Sequence, residues 1–288
     1  MIILNGKETA DRLKQNLKKE IDKIDGNKPV LCCIVVGDNP ASKVYVRNKE
    51  NACVDVGIYS KVIKLPADIT EKDLINNIKK LNSDDSITGV IVQLPLPKHI
   101  DEQNVINAID ASKDVDGFHP INLGKTLIGM PTIHPATPKG ILTLFREYNI
   151  DTVGKSIVII GRSNIVGKPL AAMLMQKGWD ATVTLCNSYT NKIDLLDYCY
   201  NADIIITAVG IPHFLDKQMI SKGVIIIDVG INRIQDENSK TGHKLVGDVN
   251  FDDVKNLCDA ITPVPGGVGP MTVYSLLENT YNAYINKL

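Results

Sequence analysis

Tyr45 and Lys49 stand four residues apart in the run "YVRNK", a spacing that places two side chains on one helical face. That face continues through Ala52, Cys53 and Val56, which are small or apolar, while Arg47, Glu50, Asn51 and Asp55 take the other side. A lysine in an apolar stripe sits where its charged form is disfavoured, which suits an amine that takes up and releases a proton. The structural alternative is a tyrosine packed on a snorkelling lysine stem. Gln93 is a second anomaly: it interrupts the apolar run "VIVQLPLP". It falls at the carboxyl end of an expected buried strand, where open α/β sheets bind ligands. A core amide satisfied by backbone accounts for it equally well. Asp114 and Asp116, two apart in "KDVDGFHP" with glycine following, form a third feature in the long loop, for which turn formation or helix capping is the structural alternative. His99, His119, His134, His213 and His243 stand isolated from any carboxylate spacing that would build a metal site, so no metal is expected.

A second group of residues points to a dinucleotide. "SIVIIGRSNIVGKPL" reads as an apolar strand, a glycine turn and a helix start. Glycine there lets backbone N–H groups and the helix N-terminus approach a phosphate. Gly161 and Gly167 lie six apart, so neither GxGxxG nor a Walker A loop is present, and Pro169 stands where a P-loop needs Ser or Thr. The next strand ends in Cys186-Asn187-Ser188, without the carboxylate that usually holds the ribose hydroxyls of NAD. Arg162 follows Gly161 instead, and a guanidinium near a serine hydroxyl suits the ribose phosphate of NADP. A surface arginine that meets only water is the alternative.

These residues need a scaffold. At 288 residues the chain exceeds a typical domain, and two α/β domains are expected. Leu13, Leu17, Ile21 and Ile24 mark a helical face, "VLCCIVV" a buried strand, residues 70 to 82 a helix, and Gly89 to Leu94 another strand. Strands apolar throughout, alternating with helices, imply a parallel sheet covered on both faces. From Ala111 to Pro138 the pattern fails, and this stretch reads as a functional loop or a domain connection. Alternation resumes at Gly140, with further strands at residues 156 to 161, 181 to 186, 203 to 210 and 223 to 230. Ile231 to Val249 reads as a hairpin around a polar turn. A last helix begins near Pro270, a residue accepted in a first turn.

Composition narrows the class. Hydrophobic residues make up 44% and charged residues 23%, with a formal net charge of −1, an ordinary globular balance without a nucleic-acid or membrane signature. The apolar run Val30 to Val36 spans seven residues, against roughly twenty needed to cross a bilayer. The apolar start is too short for a signal peptide. Six cysteines without a CxxC pair imply buried reduced thiols and a cytoplasmic setting.

Seven stretches in order, "YVRNK", "GVIVQLPLP", "KDVDGFHPINLG", "ATPKGI", "GRSNIVGKP", "DVGINR" and "TPVPGGVGPMT", carry a resemblance. The sequence resembles the bifunctional methylenetetrahydrofolate dehydrogenase/methenyltetrahydrofolate cyclohydrolase family over nearly its whole length. One departure is Asn187, where some members carry histidine. The resemblance implies two α/β domains with a cleft between them: residues 1–138 for folate and catalysis, and 139–268 as a Rossmann-like NADP domain with a parallel sheet. A helix over 269–288 would pack back on the first. It implies NADP-dependent oxidation of 5,10-methylenetetrahydrofolate, then hydrolysis to 10-formyltetrahydrofolate, serving purine, methionine and histidine synthesis. It also implies a homodimer joined through the nucleotide domain, where the hairpin would serve.

Lys49 becomes the proton carrier, Gln93 its hydrogen-bond partner, Tyr45 the stacking ring and Asp116 the partner of the pterin's amino-pyrimidine edge. Leu94, Pro95, Asp114 and the Pro265-Gly266-Gly267 turn complete the expected substrate contacts. Expected cofactor contacts are Gly161, Arg162, Ser163, Ile165, Val166, Ser188, Ala208, Val209, Gly210 and Ile231. A dehydrogenase of another substrate and a non-catalytic dinucleotide-binding regulator remain open alternatives at this point.

Overall fold

The computed structural model describes residues 1–236 and 242–285, without the side chains at positions 40, 41, 42 and 44. In chain order the first half gives β1 (Ile2–Ile3), α1 (Gly6–Asp22), β2 (Val30–Val36), α2 (Pro40–Val56), β3 (Tyr59–Leu65), α3 (Glu71–Asn82), β4 (Gly89–Val92), α4 (Glu102–Ala108) and α5 (Pro120–Ile128). The second half gives α6 (Ala136–Glu147), β5 (Ser156–Ile160), α7 (Gly167–Leu174), β6 (Thr182–Cys186), α8 (Lys192–Tyr200), β7 (Ile204–Thr207), β8 (Ile225–Asp228), β9 (Asn232–Gln235), β10 (His243–Val246), α9 (Phe251–Val254), β11 (Ala260–Ile261) and α10 (Val268–Tyr284).

Two compact units divide the chain. One holds residues 11–136 and 273–288, the other 1–10 and 137–272. Residues 1–10 thus belong with the nucleotide-type unit, unlike the boundary expected from sequence. The reason is local pairing: β1 adds to β11 in parallel, with Ile2 opposite Ala260 and Ile3 opposite Ile261. Two-residue strands leave no periodicity in the sequence by which to find them.

The unit of residues 11–136 and 273–288 is built on a parallel sheet in the order β3-β2-β4. Cys32, Ile34 and Val36 of β2 face a cluster with Leu74, Ile78 and Leu81 of α3 and with Val90 and Val92 of β4. Each fully buried aliphatic of this kind contributes about 1.5–3 kcal/mol. Helix α3 starts where Thr70 Oγ1 accepts the Asp73 N–H at 3.1 Å, satisfying one of the first-turn donors.

The stretch expected to be irregular, residues 111 to 138, contains α5 and is corrected here. Its start is unusual: His119 caps it, Nδ1 accepting the Ile121 N–H at 3.1 Å, with Pro120 in the first turn. Gly129, at φ 71°, closes it in the left-handed conformation. Proline at the start and glycine past the end follow the usual asymmetry, but a histidine cap is a weak sequence signal beside Ser, Thr, Asp or Asn.

The other unit carries a parallel sheet in the order β1-β11-β8-β7-β5-β6. Val158 and Ile160 of β5, Ile205 of β7, Ile226 of β8 and Ile261 of β11 share one buried cluster. After β6 the chain returns to the far side of β5 to lay down β7, so the order reverses at β5. Ligands of open α/β sheets bind at such a switch point, outside the carboxyl ends of the strands. The expected hairpin is present as antiparallel β9 and β10, with Asn232 opposite Val246. Its polar turn, at 237–241, lies outside the described residues. All six cysteines are buried and free.

Candidate active site

Helix α2 delivers the anomalous lysine. Ala52 (6% exposed), Cys53 and Val56 (both 0%) bury the stripe that sequence periodicity predicts. Lys49, one turn earlier, is half-buried, and Tyr45, one turn earlier again, is 45% exposed. Lys49 Nζ donates to Gln93 Oε1 at 3.2 Å. Gln93 is fixed on both sides: its N–H donates to the Ile34 carbonyl at 2.9 Å, continuing the β2–β4 ladder beyond β4. Its Nε2 donates to the Leu94 carbonyl at 2.8 Å. With the amide nitrogen engaged by its own chain, the amide oxygen is left for the lysine. Leu94 and Pro95 follow directly, joined by a cis peptide bond.

The loop after α4 brings in the carboxylates. The Val90 N–H donates to the Lys113 carbonyl at 2.7 Å, so the loop runs beside β4. Asp114 and Asp116 then separate in role. Asp114 is 2% exposed, and its Oδ2 accepts the His119 N–H at 2.7 Å and Asn122 Nδ2 at 3.0 Å. Burial pushes its carboxyl up to about 6 despite these bonds. Its Oδ2 thus ties the loop to the start of α5.

Asp116 is half-buried and is followed by Gly117 at φ 77°. A Cβ at Gly117 would press within 2.6 Å of the His134 carbonyl carbon, so the turn that presents Asp116 requires glycine. The charges of Lys49 and Asp116 both reach the Cys33 thiol, which burial pushes up to about 12. A cation, a carboxylate, an oriented amide and a phenol-bearing helix turn therefore gather near the carboxyl ends of β2 and β4.

In the other unit, Gly161 leaves β5 at φ 121°, and a Cβ there would strike the Ala208 carbonyl oxygen. A Cβ on Gly167 would strike the Gly161 carbonyl oxygen. The turn between β5 and α7 is thus a bare backbone cradle at a helix N-terminus, the kind of surface that accepts phosphate. Ser163 Oγ accepts the Val166 N–H at 3.1 Å and holds the turn, and Ile165 is 40% exposed beside it.

Arg162 is exposed, its guanidinium carbon 5.6 Å from the centre of the Tyr189 ring. Asn187 turns the chain after β6: its Oδ1 accepts the Tyr189 N–H at 3.0 Å. This turn places exposed Ser188 and Tyr189 at the end of β6. Ala208, Val209 and Gly210 follow β7, across from Gly161. Ile231 is 47% exposed at the start of the hairpin. The Pro265-Gly266-Gly267 turn follows β11, with Gly266 at φ 106° and its carbonyl accepting the Lys7 N–H at 2.8 Å.

Two buried aspartates escaped the sequence reading. Asp228, 4% exposed, accepts the N–H groups of Gly230 and Asp248 at 2.9 Å and of Val249 at 3.0 Å. Burial pushes its carboxyl up to about 6. Asp248 is fully buried. Their only sequence signal is a glycine close by each, Gly230 and Gly247, where a Cβ would collide with a carboxylate. Among the described residues no group of three or more His, Cys, Asp or Glu side chains gathers to hold a metal, and no helix is long and apolar enough to cross a membrane.

Two family models match the chain, one on each side of residues 117–134. The model of the tetrahydrofolate dehydrogenase/cyclohydrolase catalytic domain matches residues 4–116. That of the tetrahydrofolate dehydrogenase/cyclohydrolase NAD(P)-binding domain matches residues 135–288. The bifunctional protein FolD of Bacteroides thetaiotaomicron is 50% identical over 285 residues, covering 97% of both chains. That of Maridesulfovibrio salexigens is 50% identical over 289 residues, covering 99% of this chain and 98% of its own.

Among solved structures, the bifunctional FolD methylenetetrahydrofolate dehydrogenase/cyclohydrolase of Campylobacter jejuni is similar with a TM-score of 0.94 and 46% identity, over 100% of both chains. The Trypanosoma brucei methylenetetrahydrofolate dehydrogenase-cyclohydrolase, solved with NADP cofactor and an inhibitor, gives 0.94 at 34% identity, over 100% of this chain and 98% of its own.

Proposed function

The chain belongs to the tetrahydrofolate dehydrogenase/cyclohydrolase family, and we propose that Lys49, held by Gln93, is the group through which it moves the proton of the hydrolytic step. The enzyme is an NADP-dependent methylenetetrahydrofolate dehydrogenase and methenyltetrahydrofolate cyclohydrolase. The observation that carries the proposal is the 3.2 Å hydrogen bond from Lys49 Nζ to an amide that its own backbone has oriented.

In the hydrolytic step the oxygen of water bonds to the methenyl carbon of the folate. One proton of that water leaves through Lys49 Nζ, which must be neutral to accept it. The bond from the carbon to N5 then breaks as the formyl carbonyl forms, the remaining hydroxyl proton passing to N5. Gln93 Oε1 fixes the direction of the lysine's hydrogen-bonding positions. Asp116 accepts the N–H pair of the amino-pyrimidine edge, a charge-assisted contact. Tyr45, with its ring partly free, stacks on the folate.

The oxidative step needs two carbons held close and little acid–base help, so positioning supplies most of its rate. NADP, when bound, supplies the hydride acceptor. The residues fit it: a side-chain-free cradle at Gly161 and Gly167 for phosphate, and exposed Arg162 and Ser188 for a ribose phosphate. Residues 11–136 with the C-terminal helix serve folate, and residues 137–268 serve the cofactor. The protein works in the cytoplasm, where six free thiols stay reduced, within biosynthesis that draws on one-carbon folates. It acts as a homodimer joined through the nucleotide unit, where the hairpin and its exposed Leu245 (43%) find cover.

Steady-state assays of both reactions, with NADP and NAD side by side, test the reading. Reduction of NADP in preference to NAD, with hydrolysis of methenyltetrahydrofolate independent of either, is expected. No absorbance change with methylenetetrahydrofolate and NADP would instead favour another substrate.

A further inference from the structure

Asp248 lies in the segment between β10 and α9, yet its carboxylate is built into the loop that follows β7. Oδ2 accepts the N–H groups of Val209 at 2.7 Å and Gly210 at 3.0 Å. Oδ1 accepts Asn232 Nδ2, from the first residue of β9, at 2.8 Å. The backbone N–H of Asp248 is itself tied to Asp228 Oδ1 at the end of β8. The carboxylate is fully buried, and Gly230 lacks the Cβ that would collide with it. Burying a carboxylate is costly unless every oxygen finds donors; here one oxygen serves two successive amides of a single loop and the other serves the hairpin.

The consequence reaches the carboxyl end of β7. With the Val209 and Gly210 N–H groups turned inward onto Asp248, the loop after β7 offers a ligand no amide donors at these positions. Val209 packs its side chain on the buried cluster below, and the Ala208 carbonyl lies against Gly161, so the loop is held from both sides. We propose that Asp248 is a positioning residue for the oxidoreductase reaction: it fixes the 208–210 loop, and through Asn232 the start of the hairpin, in the shape that receives the cofactor. The inference rests on the assignment of residues 208–210 and 231 to the cofactor.

The bifunctional enzyme supplies its own control, since hydrolysis of methenyltetrahydrofolate uses no dinucleotide. In the full-length protein, Asp248→Ala should raise the KM for NADP by about tenfold or more, the scale of lost hydrogen bonds to a charged group. Hydrolysis measured without cofactor should stay within about twofold of wild type, the scale of a few tenths of a kcal/mol. Asp248→Asn should recover most of the affinity, because its amide oxygen still accepts from Val209 and Gly210 while Asn232 turns its own oxygen to the new amide. If the alanine variant does not fold, Asn232→Ala carries the test, with a smaller rise in KM and unchanged hydrolysis expected. An unchanged KM for NADP in the folded variants, or parallel loss of both activities, would overturn the inference. Absence of NADP reduction in the wild-type enzyme would instead overturn the functional assignment beneath it.

Discussion

At the scale of single residues, the two aspartates of "DVD" show how environment divides like side chains. Asp114 is enclosed and pushed up to about 6 by burial, from an ordinary 3.8, so the folded chain holds its proton more tightly than the unfolded chain. Its contribution to stability is therefore full below the ordinary value and is lost as pH rises through about 6. Asp114→Asn keeps an oxygen for the His119 and Asn122 donors and removes this titration. Unfolding by urea should show the variant gaining on the wild type between about pH 4 and 6, and at least equal to it at neutral pH. Asp228 titrates in the same direction in both proteins, so the difference isolates Asp114. The KM for folate should stay unchanged, and a large rise would place Asp114 at the substrate.

Lys49 and Gln93 were legible because each breaks a pattern that is otherwise regular. Asp228 and Asp248 were not, because what makes them important is a set of backbone donors distant in sequence. A carboxylate beside a glycine reads as a turn until the fold shows which amides it holds.

At the scale of elements, apolar runs located β2, β4, β5, β7 and β8, since strands buried on both faces announce themselves. Helix α5 was hidden by its histidine cap and by the prolines and glycines around it. Strands β1 and β11 were too short to carry any period. The β5–α7 turn is the element on which the cofactor reading depends most, and its geometry makes a sharp expectation. Gly161→Ala sets a side chain against the Ala208 carbonyl at a φ of 121° that such residues rarely adopt. The substitution should cost about 2 kcal/mol or more of unfolding free energy and depress NADP reduction. A variant of wild-type stability and NADP affinity would show that the turn is looser than its contacts imply.

At the scale of the whole molecule, the division into two α/β units was visible in the order of strands and helices, but the place of residues 1–10 was not. A ligand that binds the folded nucleotide unit stabilises the protein by mass action, by about 2.7 kcal/mol at one hundred times its Kd. Thermal unfolding should therefore shift upward with NADP and much less with NAD at equal concentration, because on the proposed reading Arg162 and Ser188 have a phosphate to hold only in the first. Equal shifts would remove the basis for preferring NADP.

The central claim concerns one proton, and Lys49→Met tests it most directly. Methionine keeps the apolar stem and removes the amine, so α2 should pack as before through its buried Ala52, Cys53 and Val56. With both reactions assayed in one preparation, the variant should lose hydrolysis of methenyltetrahydrofolate by about a hundredfold or more, the range of a positioned acid–base group, while NADP reduction by methylenetetrahydrofolate remains measurable. Hydrolysis at the wild-type rate in the variant would contradict the account.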